Sequence, residues 1–108
     1  MDFTEYQKRT ADTAIYPGQN SDAGITYTVL GACGEVGELA NDWKKALRDL
    51  DPVLAKEKMR YELGDVLWYL SQLATELGMT LDEVAQCNLD KLKDRKIRDR
   101  LKGSGDKR

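Results

Sequence analysis

The sequence predicts an all-α protein, and three observations carry that prediction. Apolar residues recur at helical spacing over two long stretches, two capping-box patterns mark helix starts, and no run alternates apolar and polar residues as a strand would. Asp2 followed by Glu5 resembles a capping box and opens a first helix that extends to about Ile15. Pro17-Gly18-Gln19-Asn20-Ser21-Asp22 is a loop by its turn residues. A long helix is expected from about Ala23 to Asp49, with Val29, Ala32, Val36, Leu39, Trp43 and Leu47 at helical spacing. Asp51-Pro52 breaks it, because proline removes a backbone donor and crowds the preceding turn.

A third helix is expected from about Val53 to Leu77. Met59, Leu63, Val66, Leu67, Leu70, Leu73, Ala74 and Leu77 make one of its sides apolar, and Gly78 stops it. Thr80 and Glu83 form a second capping box, opening a fourth helix through Val84, Leu89, Leu92 and Ile97. Gly103-Ser104-Gly105-Asp106 ends the regular structure. The expected architecture is a four-helix-type bundle in one domain, residues 1–102, with a short tail, 103–108. A chain of 108 residues builds only a modest core, so wide apolar helix faces predict completion by self-association.

Composition narrows the function classes. No apolar run reaches the roughly 20 residues that span a bilayer, and the N-terminus lacks the pattern of a secretory signal. Cys33 and Cys87 stand alone, which argues against a disulfide framework or a zinc site and for a reducing, cytoplasmic setting. The net charge of −2 hides an asymmetry: residues 1–90 carry 8 Lys+Arg and 16 Asp+Glu, residues 91–108 carry 9 and 3. An acidic body repels a long polyanion, so stable nucleic-acid binding is not expected. Acidic body and basic strip together suit a cation-plus-phosphate site, although a solvated basic helix end has the same charge pattern.

Chemistry concentrates in two signatures, Glu35-Val36-Gly37-Glu38 and Glu62-Leu63-Gly64-Asp65. Residues three apart share a helix face, so each signature sets two carboxylates side by side and the two together can form a cluster of four. Ordinary surface pairing, Glu38 with Lys45 or Glu62 with Lys58, would explain one such signature. Two of them, flanked by glycine and apolar stripes, point to a hard cation instead, because a carboxylate near buried surface needs a partner. The chain has no histidine, which removes the Glu-x-x-His di-iron pattern and disfavours zinc. An all-oxygen set favours Mg2+, with Mn2+ as substitute, and Mg2+ commonly works with substrate phosphates. No P-loop is present, so cations and Lys or Arg side chains would have to hold those phosphates. Gly31, Gly34, Gly37 and Gly64 thin the helices here, which suggests close backbone approach between helices or to a ligand.

The run Leu30-Gly31-Ala32-Cys33-Gly34-Glu35-Val36-Gly37-Glu38-Leu39-Ala40, then Lys44-Lys45, then Glu62-Leu63-Gly64-Asp65-Val66-Leu67-Trp68-Tyr69-Leu70, resembles the MazG family of all-α nucleoside triphosphate pyrophosphohydrolases. Asn88-Leu89-Asp90-Lys91-Leu92-Lys93-Asp94-Arg95 is similar to that family's N-x-x-K-L-x-x-R stretch. The ending through Gly103-Ser104-Gly105-Asp106 resembles the tail of small single-domain, often phage-encoded members. The resemblance covers nearly the whole chain. It implies Glu35, Glu38, Glu62 and Asp65 as metal ligands, and Glu35 or Glu38 as acceptor of the proton from the attacking water. Gly34 stands where the family's double-Glu motif has its first Glu, so no role for that extra carboxylate carries over.

The resemblance further implies Tyr69, Asn88, Lys91 and Arg95 at the phosphates. The reaction it implies is nucleoside triphosphate plus water to monophosphate plus pyrophosphate, by water attack at the α-phosphate with Mg2+. It also implies a homodimer or homotetramer. For the nucleobase, the aromatic residues Trp43 and Tyr27 are the sequence candidates, with Gln7 and Asn20 as polar readers. Candidate substrates are dGTP, dCTP or modified nucleotides, in cleaning or adjusting the nucleotide pool. The alternatives are a dUTPase- or dCTPase-like member of the same superfamily and a non-catalytic helical interaction module.

Overall fold

The computed structural model describes residues 1–99 and 101–107; Arg100 and Arg108, both in the basic strip, lie outside the described residues. Four helices follow one another, and the described residues contain no strand. Helix α1 spans Phe3–Thr10, with the Asp2 side chain accepting from the Glu5 backbone N–H at 2.8 Å. It ends earlier than the expected Ile15 and tightens into a 3₁₀ turn, Ala11–Thr13. The reason is tertiary. Thr10 is buried and its hydroxyl pairs with Ser71 at 2.9 Å and accepts from Gln72 Nε2 at 2.8 Å, while Thr13 is engaged by Trp68.

Helices α2 (Asp22–Asp49) and α3 (Pro52–Glu76) form the frame. Their 28 and 25 residues correspond to about 42 and 38 Å of helix. Between them Leu50 adopts a left-handed conformation, Asp51 caps α3 by accepting from Leu54 N–H at 3.2 Å, and Pro52 takes the first helical position. So short a connection folds the two helices back antiparallel. At the far end of α3, Met79 N–H bonds Ala74 O and Gly78 N–H bonds Thr75 O, with Gly78 at φ 71°. This Schellman pattern confirms Gly78 as the stop. Thr80 and Glu83 complete a reciprocal capping box that starts α4 (Leu81–Ile97).

A polar network, rather than a large apolar core, fastens α1 and its following loop to α3. Tyr16 donates to Glu76 at 2.6 Å, and the other Glu76 oxygen accepts from Asn20 N–H at 2.9 Å. Gly24 makes room for this clasp: a Cβ there would sit 2.7 Å from the Glu76 carboxyl. Gln7 bridges to the α3–α4 turn, donating to Thr75 and Met79 O and accepting from Leu81 N–H. The Gln7 amide is thus committed to structure, and the backbone N–H of Asn20 is engaged by Glu76.

The chain is extended for its length. Its radius of gyration is 16.6 Å, against about 13 Å for a compact chain of this size. The side of α3 expected to be buried is only partly so. Leu63, Leu70 and Leu77 form an exposed row at seven-residue spacing, matched on α2 by Val29, Val36 and Trp43. Cys33 and Cys87 are free thiols. No helix among the described residues is long and apolar enough to cross a membrane.

Candidate active site

Glu35 projects from the middle of α2, and Glu62 and Asp65 from successive positions of one α3 face. One carboxylate oxygen from each lies within 4.8 Å of the others. Glu35 and Glu62 are half-buried and Asp65 is exposed, so the trio opens to solvent on one side. Of the four carboxylates expected to converge, the structure gathers these three; Glu38 stands one turn further along α2. Its charge still reaches Glu62, as does that of Asp42 one turn beyond.

The consequence falls on Glu62, whose carboxyl is pushed up to about 6. A hydrogen bond with Glu35 is the main cause, then partial loss of hydration, then the negative charges of Glu35, Asp42 and Glu38. So much negative charge in one place is destabilising unless a proton or a cation joins it. The donors are all carboxylate oxygens, the set that suits a hard divalent cation. Asp42 adds to the pattern: its Oδ2 is buried without a hydrogen-bond partner among the described residues. Sequence reading passed over Asp42, although its position four residues after Glu38 and seven after Glu35 puts it on the same face.

Beside the trio lies a cleft of about 300 Å³ lined by Thr13, Glu35, Asp65, Trp68 and Tyr69. Tyr69 is seated by glycine, because a Cβ on Gly31 would fall 2.2 Å from its Cε1. Gly31 is therefore a point of close approach, while the positions of Gly34, Gly37 and Gly64 face open space. Burial first, then the neighbouring Tyr27 and the Glu35 charge, raise the Tyr69 hydroxyl above its ordinary value, so it remains a proton-bearing donor at neutral pH. Three other rings gather around it. Tyr16 and Tyr27 stack at 5.2 Å, and Trp68 meets Tyr16 and Tyr69 edge-on at 6.1 and 5.1 Å.

Residues 25–98 match the MazG nucleotide pyrophosphohydrolase domain. The chain belongs to the MazG family. It is also 49% identical, over 95% of its length and 96% of the relative's, to the Gene 37 protein of Mycobacterium phage L5. No solved structure was found to match it. The matched residues contain the carboxylate trio and four of the five residues that line the cleft; the fifth, Thr13, precedes them.

The remaining sequence candidates are not among the residues that line the cleft. Asn88 and Lys91 on α4 border a separate cavity of about 480 Å³ with Met79, Glu83, Val84 and Cys87. Lys91 pairs with Asp106 at 3.1 Å, and the buried Arg95 donates to Gly105 O and Asp106 O at 3.3 and 2.7 Å. Both cations thus hold the C-terminal segment against α4. Trp43 lies on the exposed row of α2, and one face of Tyr27 is covered by Tyr16.

Proposed function

We propose that this MazG-family chain is a divalent-cation-dependent nucleotide pyrophosphohydrolase, cutting (deoxy)nucleoside triphosphates to monophosphate and pyrophosphate in a nucleotide-pool role. The observation that carries the reading is the convergence of Glu35, Glu62 and Asp65 from two helices beside an open cleft. These three residues would hold the cation, Mg2+ by the chemistry of the donor set, with Mn2+ as substitute. A bound divalent cation supplies charge stabilisation for the phosphates and acidifies nearby water. Glu35 or Glu38 takes the proton from the attacking water. Tyr69, held in its protonated form, donates to a phosphate oxygen from the cleft wall.

Asn88 and Lys91 are proposed to meet the triphosphate in a homo-oligomer, while the buried Arg95 fastens the C-terminal segment to α4. The exposed rows Val29–Val36–Trp43 and Leu63–Leu70–Leu77 support that assembly, since seven-residue spacing suits helix-against-helix packing. Candidate substrates are dGTP, dCTP and modified nucleotides, in a cytoplasmic setting; a preference for dUTP or dCTP alone would place the chain with the narrower members of the superfamily.

The test is Glu38→Gln, assayed for Mn2+ affinity and pyrophosphate release. Lost affinity assigns Glu38 to the cation, and lost turnover at retained affinity assigns it to the proton. Full activity in that variant and in Glu35→Gln would refute the reading and favour a non-catalytic helical module.

A further inference from the structure

Of the cavities in the molecule, the cleft beside the trio joins two converging carboxylates, Glu35 and Asp65, to an indole. Trp68 is half-buried and its orientation is set by a hydrogen bond at the cleft wall. Its ring N–H donates to Thr13 Oγ1 at 2.8 Å, and Thr13 in turn donates to Thr10 O at 3.2 Å. Thr10 is itself locked to Ser71 and Gln72. The polar edge of the indole is thereby satisfied within the protein, Tyr16 and Tyr69 pack against the ring at near right angles, and Trp68 lines the cleft. The other aromatic candidates are placed worse. Trp43 is absent from the cleft lining and lies on the exposed α2 row, and Tyr27 already has a ring against one face.

We propose that Trp68 is the stacking surface for the substrate's nucleobase, with Thr13 as the positioning residue that fixes its ring. This rests on the pyrophosphohydrolase reading, in which the phosphates lie at the carboxylates; the base then falls to the next wall of the same cleft. Aromatic side chains stack on nucleobases through a π-face that every base possesses, so this wall supplies affinity with little discrimination among bases.

The chain has two tryptophans, which makes the test specific. In Trp43→Phe the emission comes from Trp68 alone. With Mg2+, α,β-methylene-ATP should quench it, and inorganic triphosphate, which has phosphates but no base, should not. In Trp68→Phe, where Trp43 is the reporter, neither probe should quench. Trp68→Leu should raise KM about 5- to 150-fold with kcat largely kept. Thr13→Val should weaken the Trp68 response, and Thr13→Ser, which keeps the oxygen, should restore it. Quenching by triphosphate equal to that by the nucleotide, or quenching confined to Trp43, would overturn the assignment. The single-tryptophan measurement holds even where Trp68→Leu fails to fold. Wild-type pyrophosphate release with an unresponsive Trp68 would sink this inference alone, whereas no release by the wild type would sink the parent reading with it.

Discussion

Gly31→Ala is the perturbation whose sign the structure fixes most sharply. Inside an exposed helix this change normally stabilises by about 1 kcal/mol, because alanine loses less backbone freedom than glycine. Here the added Cβ would meet Tyr69 Cε1, Cδ1 and Cζ at 2.2, 2.4 and 2.5 Å. Ordinary carbon contacts begin near ~3.5 Å, so the ring must retreat by about 1 Å or more. Trp68 at 5.1 Å and Tyr27 at 6.4 Å hem that ring in. Overpacking of this kind costs about 1–3 kcal/mol, which equals or outweighs the propensity gain. Gly31→Ala alone should therefore leave Tm unchanged at best and lower it at worst. In a Tyr69→Ala background the obstacle is gone, and the same change should raise Tm by about 4–8 °C. Differential scanning calorimetry on the four proteins of the cycle measures the coupling, expected at about 1–3 kcal/mol. A clear rise in Tm on Gly31→Ala in both backgrounds would refute the close approach of Tyr69 to α2.

Three further outcomes follow from the same geometry. Glu62 is raised to about 6 in the metal-free protein, so the carboxyl group should titrate there by carbon-13 NMR, and Mg2+ should lower its midpoint. The sign runs with protonation: the proton's stabilising contribution is full below the ordinary value of 4.5 and is lost as pH rises through about 6, so metal-free Tm should fall across that window and Mg2+ should restore it above. Glu35→Gln removes a like charge from the trio, and should raise metal-free Tm while abolishing most of the Mn2+-induced stabilisation. Val36→Asp places a charge in the exposed α2 row, and analytical ultracentrifugation should show a shift to monomer with the helical circular-dichroism signal kept.

Much of this structure was legible in the chain because its punctuation is local. Asp2, Asp51-Pro52, Gly78 and the Thr80–Glu83 box each act within a few residues, and each helix boundary they mark is observed close to where the pattern sets it. The carboxylates were legible for the same reason, since i, i+3 spacing on a helix fixes a shared face. What stayed hidden depends on partners far away in sequence. Thr10 and Thr13 look like ordinary helix residues until Ser71, Gln72 and Trp68 reach them and shorten α1. Trp68 sits in an apolar run that reads as core, although its place three residues after Asp65 puts it on the carboxylate face that borders the cleft. Four glycines near the motifs looked equivalent; the ring of Tyr69 distinguishes Gly31 from the other three. The basic strip looked free for anions, yet Arg95 is 4% exposed and engages the tail backbone.

The central claim is that the carboxylate trio and its cleft direct water to the α-phosphate of a nucleoside triphosphate with the help of a divalent cation. Hydrolysis in ¹⁸O-labelled water with Mg2+, read by phosphorus-31 NMR or mass spectrometry, tests it most directly. The account predicts the label in the nucleoside monophosphate, none in pyrophosphate, and no turnover with chelator or in Glu62→Gln. Label in the released pyrophosphate or phosphate, or turnover that persists without the cation, would contradict it.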